Sequence, residues 1–361
     1  MIRVALTGGG TAGHITPLLA VAEQLREASA DVAMTVIAME GGRERDILPD
    51  WLNDIVDVPK LPFPRTFSTA VLGYPFRLWR AIRRLRHELR TRSVDVVVGF
   101  GGYIAAPAYL AARGEGIPVV IHEANRVPGL ANRMAQRFAK VVATCFPDTP
   151  LRSAQVIGMP LPRSLTARPL SELREEARSF FGLHEGPVLL VMGGSSGAKR
   201  INETLWQRAR ELVETGWQVL HLVGPSLDQP TSLPEGYVAL KYCHRMDLAY
   251  SLASLAVCRA GAATVSEMAV AGVPAIFVPY HVGNGEQEQN ARYLVDRGAA
   301  IVVGQESFTP EAVDSVVIPL LADGARREEM SRQARSLAVV NAATVLAELV
   351  LKAAQSREEH P

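Results

Sequence analysis

Cysteine is scarce: the 361 residues hold three, Cys145, Cys243 and Cys258, and no Cys-x-x-Cys pair. An odd and scattered set argues against a disulfide scaffold or a zinc ribbon and fits a reducing compartment. No apolar run approaches the roughly 18 residues that a membrane-crossing helix needs. The stretch from Met1 to Leu6 is too short for the apolar core of a signal peptide. Charge of one sign is not in excess either, with 38 Lys/Arg against 37 Asp/Glu. A dedicated nucleic-acid binder carries a strong basic surplus, so nucleic acid is not an expected partner.

What is present is a globular chain, 48% hydrophobic and 21% charged, long enough for two domains. The charge is uneven. Residues 1–163 carry 20 Lys/Arg and 14 Asp/Glu, whereas residues 164–361 carry 18 and 23. This asymmetry predicts different partners for the two halves.

Short apolar strands alternate with helical patterns. Strands are expected at 3–7, 32–38, 94–98, 118–122 and 140–144, and a helix from about Pro17 to Ala28. The pattern restarts after Pro160-Leu161-Pro162, with strands at 187–192, 218–223, 238–241, 255–258 and 275–278. A helix is expected from the second glycine loop to about Glu214, and a last one over roughly 326–356. Alternation of this kind predicts parallel sheets covered on both faces. The reading is α/β, with two doubly wound domains: 1–162, 163–340, and a terminal segment 341–361. The proline-rich segment 159–169 is the linker.

A strand followed by a glycine loop and a helix occurs twice. The first loop is Gly8-Gly9-Gly10-Thr11-Ala12-Gly13-His14 and the second Gly193-Gly194-Ser195-Ser196-Gly197-Ala198. Such a loop lets backbone approach a ligand closely and aims free helix N–H groups and the helix dipole at an anion. Gly8-x-Gly10-x-x-Gly13 also satisfies the dinucleotide fingerprint, with Glu40 after the second strand. His14 directly after the last glycine, and the second loop, count against a nicotinamide enzyme. Glycines that merely permit tight turns are the bland alternative. A third segment, Arg259-Ala260-Gly261-Ala262-Ala263-Thr264-Val265-Ser266-Glu267, follows a strand. Thr264 is expected to cap its helix and leave the N-terminus open to an anion. Glu267 suits two roles: accepting from a ribose diol, or complementing the helix dipole.

Taken together these residues resemble the MurG family, bacterial UDP-N-acetylglucosamine transferases of glycosyltransferase family 28. The resemblance rests on Gly9–His14, Gly101-Gly102-Tyr103, His122-Glu123-x-Asn125, Gly193-Gly194-Ser195-x-Gly197-Ala198, Arg259–Glu267, Gln287 and Asn290-Ala291, in that order along nearly the whole chain. It implies a GT-B fold, two Rossmann-like domains facing across a cleft, with segment 341–361 returning to the N-terminal domain. It implies inverting transfer of N-acetylglucosamine (GlcNAc) from UDP-GlcNAc to the 4-hydroxyl of the muramyl sugar of lipid I, which yields lipid II. For the donor it implies Ser195 on the diphosphate and Ala262, Ala263, Thr264, Val265 and Ser266 around phosphate and ribose. Glu267 would hold the ribose hydroxyls, Gln287 the sugar, and backbone near Cys243 the uracil. Thr11, Ala12, Gly13 and Asn125 would complete the donor-sugar side, and Arg163 would serve the diphosphate. Gly9, Gly10, Gly102, Tyr103, His122 and Glu123 would face the acceptor.

His14 is the expected base, near neutral pKa beside a phosphate loop; a donor to acceptor phosphate is its other role. His122 and Glu123 end a strand where ligands bind in open sheets, though a structural hydrogen-bonded pair fits equally. No Asp-x-Asp pair is present to hold manganese, so neither metal nor cofactor is expected. The chain departs from the family at Ala124, Met159, Pro162, Ser196 and His244-Arg245, where Gln, Asn, Arg, Gln and acidic residues are usual. A related transferase with another lipid acceptor, or a non-catalytic UDP-sugar-binding protein, would account for these departures.

Residues 60–92 hold nine Lys/Arg and a single acid, Glu88, interleaved with large apolar residues. From Tyr74 onward the apolar residues are expected to share one helical face, with Phe76, Trp79 and Ile82 flanked by Arg80 and Arg83. That composition suits an anionic membrane surface, and a peripheral protein on the cytoplasmic face; a solvated basic face over core packing is the alternative.

Overall fold

The computed structural model describes every residue except 10–11, 43–46, 62–68, 282–284 and 359–361. The chain divides into two compact units, Met1–Pro162 with Asn341–Pro361, and Arg163–Val340. The first unit holds β1 (Ile2–Thr7), β2 (Val32–Met39), β3 (Ile55–Val58), β4 (Val96–Gly99), β5 (Val119–Glu123), β6 (Val141–Thr144) and β7 (Gln155–Val156). Its sheet runs β3-β2-β1-β4-β5-β6-β7. The second holds β8 (Val188–Met192), β9 (Gln218–Leu222), β10 (Tyr237–Leu240), β11 (Ala253–Cys258), β12 (Ala275–Phe277) and β13 (Ala300–Val302), in the order β10-β9-β8-β11-β12-β13. Every strand pairing among the described residues is parallel.

The inner strands are apolar on both faces because helices cover both. Val96, Val97 and Val98 of β4 and Leu189, Leu190 and Val191 of β8 are all fully buried. One face of the first sheet is covered by the helices Thr69–Thr91 and Ala105–Gly114, the other by Ala12–Ala28 and the terminal helix Ala342–Glu358. Leu346, Ala347, Val350, Ala353 and Ala354 fix that last helix to the first unit's core.

The edge strands β3, β7 and β13 were not expected. At two to four residues, and with Asp57 or Gln155 among them, they show no usable period. Helix Ala12–Ala28 begins five residues before the expected start and carries Pro17 inside it. The helix expected to reach Glu214 is two, Lys199–Trp206 and Ala209–Glu214. The helix expected over 326–356 is also two, Gly324–Ser336 and Ala342–Glu358, and they belong to different units. Asn341 stands just before the second, a residue type favoured at helix starts.

Helix Thr69–Thr91 corrects the expectation of one shared apolar face. Leu78, Ala81, Ile82, Leu85 and Leu89 recur at helical spacing and pack on the sheet, joined by Tyr74. Phe76 and Trp79 lie about half a turn away around the axis and are 61% and 53% exposed, their rings stacked at 6.0 Å. Arg80 and Arg83 lie over these two rings. Ile82 therefore belongs to the core and not to the outer face. Arg86 and Arg90 both bond the carboxylate of Glu115, which ties the helix to its neighbour. No helix among the described residues is long and apolar enough to cross a membrane.

Where a parallel sheet changes winding direction, two adjacent strands send their following loops to opposite faces and leave a crevice at their carboxyl ends. In the first unit these strands are β1 and β4, with Thr7 beside Gly99; in the second they are β8 and β11, with Met192 beside Cys258. The loops that begin at Gly8, Phe100, Gly193 and Arg259 leave from these ends, and the one that follows Glu123 leaves from the neighbouring β5.

The strand ends also bury charge-capable groups. His122 closes β5 with its Nε2–H donating to the Gly158 carbonyl at 2.9 Å, and burial pulls its pKa from 6.5 to about 4. The folded chain thus favours the neutral ring, and this contributes stability above pH 6.5 that is lost as pH falls towards 4. Denaturant titrations across that interval should show His122→Gln losing stability less steeply than the wild type, by up to about 1.4 kcal/mol per pH unit. Parallel slopes would sink this account.

Candidate functional site

The first crevice is lined by the loops after β1 and β4. Gly102 adopts φ 84°, and a Cβ there would overlap the Gly9 carbonyl oxygen, so the two glycine motifs sit in direct contact. His14, in the first turns of helix Ala12–Ala28, is half-buried. Its Nε2 lies 3.4 Å from the point where a Gly101 Cβ would stand, and Asn132 Nδ2 lies 3.5 Å from that same point. Tyr103 is exposed beside them. Gly13 is exposed, and Ala12 opens the helix. Gly10 and Thr11 lie outside the described residues.

Glu123 organises the next loop. Its carboxylate accepts from Asn125 N at 3.0 Å, Gly129 N at 2.9 Å and Asn132 Nδ2 at 2.9 Å. Burial pushes its pKa up while these donors pull it back, and the net shift is upward. Asn132 also donates to the His122 carbonyl and accepts from the Tyr109 hydroxyl at 2.8 Å. His122 and Glu123 are thus buried, and their polar atoms bond the chain's own groups. Glu123 holds Asn125 and Gly129 in place, and His122 holds the Gly158 backbone. Asn132 was not singled out from the sequence; its signal is a lone amide within the short apolar-faced helix Leu130–Ala135.

The second crevice is lined by the loops after β8 and β11. Gly197 at φ 77° leaves no room for a Cβ, which would overlap the Val223 carbonyl. The turn closes with Gly197 N donating to Gly194 O at 3.0 Å, and Ser195 and Ser196 are exposed at its tip. Helix Ala262–Ala271 starts from Gly261, whose extended backbone is the N-cap. Thr264 is therefore three positions inside and does not cap, a correction to the sequence reading: the cap position has no side chain to offer. The first amides, of Ala262, Ala263 and Thr264, point out of the helix end as free donors do at any helix start. Val265 and Ala262 are buried, whereas Ala263, Thr264, Ser266 and Glu267 keep partial exposure.

Glu267 is held by the buried Tyr250, whose hydroxyl donates to Oε2 at 2.7 Å. Burial raises its pKa and the Tyr250 bond lowers it, for a net rise. Gln287 Oε1 accepts from Ala260 N at 3.3 Å and Tyr280 N at 3.0 Å, joining the loops after β11 and β12 and leaving its amide protons to donate. Asn290, fully buried, donates to the Ala260 carbonyl. Arg259 donates to the Val278 carbonyl at 2.8 Å and lies over the Tyr280 ring. Cys243 is buried just beyond β10. Arg163 is exposed on the short helix Arg163–Thr166, which packs against helix Ala262–Ala271. Arg245, at the departure from the family's acidic pattern, bridges Glu176 and Asp247 at 2.9 Å each. Of the other departures, Ala124 and Met159 are buried.

Comparison with known proteins shows the family. Residues 4–144 match the glycosyltransferase family 28 N-terminal domain and residues 188–349 its C-terminal domain. A Nocardioides sp. protein named UDP-N-acetylglucosamine–N-acetylmuramyl-(pentapeptide) pyrophosphoryl-undecaprenol N-acetylglucosamine transferase is 45% identical, covering 97% of this chain and 98% of its own. A Mycolicibacterium smegmatis protein of the same name is 43% identical over 98% and 95%. The crystal structure of Acinetobacter baumannii MurG superposes with a TM-score of 0.79 at 34% identity, over 98% and 100% of the chains. The UDP-GlcNAc 2-epimerase of Neisseria meningitidis shares the fold alone, with a TM-score of 0.67 at 16% identity over 98% and 100%. Two doubly wound units of this kind make the GT-B class of α/β folds. By both domain matches and by near-full-length identity above 40%, the chain belongs to glycosyltransferase family 28.

Proposed function

We propose that this chain transfers GlcNAc from UDP-GlcNAc to the 4-hydroxyl of the muramyl sugar of undecaprenyl-pyrophosphoryl-MurNAc-pentapeptide (lipid I), with inversion, making lipid II for peptidoglycan. The observation that carries it is the 45% identity, over 97% of the chain, to a transferase named for that donor and acceptor.

The donor belongs to the second unit. The exposed Ser195 and the open N-terminus of helix Ala262–Ala271 suit a diphosphate, since backbone N–H groups and the dipole neutralise charge without a metal. Glu267, oriented by Tyr250, accepts from the ribose hydroxyls, and the Gln287 amide donates to the sugar. Arg163 serves the diphosphate, and backbone near Cys243 reads the uracil edge. The acceptor belongs to the first unit, with its diphosphate on the Gly9–Gly13 loop and Gly102. The acceptor oxygen forms a bond to the anomeric carbon from the face opposite UDP, the bond to UDP breaks, and His14 takes the hydroxyl proton. Glu123 acts indirectly, by placing Asn125 on the donor-sugar side, and His122 by holding the Gly158 backbone. The protein works on the cytoplasmic membrane face, because a polyprenyl chain leaves the bilayer only at about 0.8 kcal/mol per CH₂. Phe76 and Trp79, ringed by Arg80 and Arg83, are the residues that enter an anionic interface.

Turnover of labelled UDP-GlcNAc with a lipid I analogue in detergent should give product with EDTA present; UDP binding without product would overturn the transferase reading. His14→Ala is expected to cut turnover by about 10²-fold or more while donor affinity holds, and near-full turnover would remove the base assignment. Glu267→Ala should weaken UDP binding by about ten-fold or more, read by calorimetry; an unchanged affinity would free Glu267 from the ribose. Replacing Phe76 and Trp79 together by Ser should lower sedimentation with phosphatidylglycerol vesicles but spare turnover of a short-chain, water-soluble acceptor. Equal vesicle binding would refute the membrane assignment.

A further inference from the structure

Helix Lys199–Trp206 carries the second glycine loop on its N-terminal end, and polar side chains tie it to the sheet. Asn202 on this helix and His221 on β9 are both fully buried. Asn202 Nδ2 donates to the Val223 carbonyl at 2.9 Å. Its Oδ1 is then an acceptor, 3.0 Å from His221 Nε2, so that ring nitrogen carries the proton. His221 Nδ1 is left to accept, and the Tyr237 hydroxyl donates to it at 2.7 Å. Each member of the row has one role: Tyr237 donates to His221, His221 to Asn202, and Asn202 to Val223. Burial pulls the imidazole pKa to about 3, so the ring stays neutral and the row keeps its direction near neutral pH.

The row ends on the backbone against which the glycine loop leans. At Gly197 a Cβ would overlap the Val223 carbonyl and come within 3.0 Å of the Gly224 Cα. Val223 and Gly224 are themselves held from the other side, their amides donating to Leu240 O at 2.9 Å and Lys241 O at 3.1 Å. The Val223 carbonyl thus touches the loop at Gly197 and receives the last bond of the row. A buried polar row costs desolvation that an apolar pair at these positions would avoid. Its return is a fixed orientation.

We propose that Asn202 and His221 are positioning residues for the donor diphosphate: the row from Tyr237 to Val223 sets the wall on which the Gly193–Ala198 loop rests, and so the aim of the loop amides. Neither residue touches the ligand. The inference rests on the donor reading given above, and the test separates the two. Calorimetry on the full chain compares UDP with uridine, the latter by competition, in the wild type and in Asn202→Ala. UDP binding should weaken by about ten-fold while uridine stays within about two-fold, because only phosphate meets the loop. Unchanged UDP affinity, or equal loss for both ligands, would overturn the inference. Should Asn202→Ala fail to fold, Tyr237→Phe removes a single hydroxyl from the row and should weaken UDP alone by about three-fold. No UDP-selective loss there would overturn it equally. A wild-type chain that binds no UDP would instead overturn the donor reading.

Discussion

Both units depend on one constraint: the central strands β4 and β8 are apolar and buried on both faces, so polar groups gather towards the strand ends. Val96–Val98 and Leu189–Val191 leave only the strand ends for groups that need water or a ligand. Winding then decides which ends open. At β1 beside β4, and at β8 beside β11, the following loops diverge and helix N-termini are exposed. The glycines follow from this placement. Backbone there packs against backbone, Gly9 on Gly102 and Gly197 on Val223, with no space for a side chain.

Behind each loop stands a buried polar device that costs desolvation and gives orientation in return. In the first unit it is the carboxylate of Glu123 with Asn132 and Tyr109; in the second it is the amide of Gln287 bridging two loops, and the Tyr237–His221–Asn202 row. Full satisfaction matters in both places, because a half-paired buried group costs about 1–3 kcal/mol. Tyr250 extends the pattern by fixing Glu267 from beneath. Most of the polar residues at these ends hold others in place.

Helix Thr69–Thr91 resolves two demands by geometry. One side of it carries Leu78, Ala81, Ile82, Leu85 and Leu89 into the core, and the other carries Phe76, Trp79, Arg80 and Arg83 outward. Core packing anchors the helix, so the outer aromatics need no structural role. The basic surplus of the first half is concentrated here, although Arg86 and Arg90 are committed to Glu115.

The sequence by itself determined the two-sheet α/β plan, ten of the thirteen strands among the described residues and the glycine loops, because buried parallel strands and glycine loops leave strong local signals. It also placed His14, Ser195 and Glu267 next to those loops. It did not reveal the edge strands β3, β7 and β13, which are too short to show a period, or the two helix breaks. Nor did it show that Ile82 parts from Phe76 and Trp79, since composition reports amphipathic content and only packing selects the core stripe. The partners of the buried groups were decided by tertiary structure alone. Asn132 meets Tyr109 across 23 residues, His122 meets Gly158 across 36, and Asn202 meets His221 across 19. Hydrogen bonds between residues so far apart in the chain depend on strand order and helix placement, which no local pattern encodes.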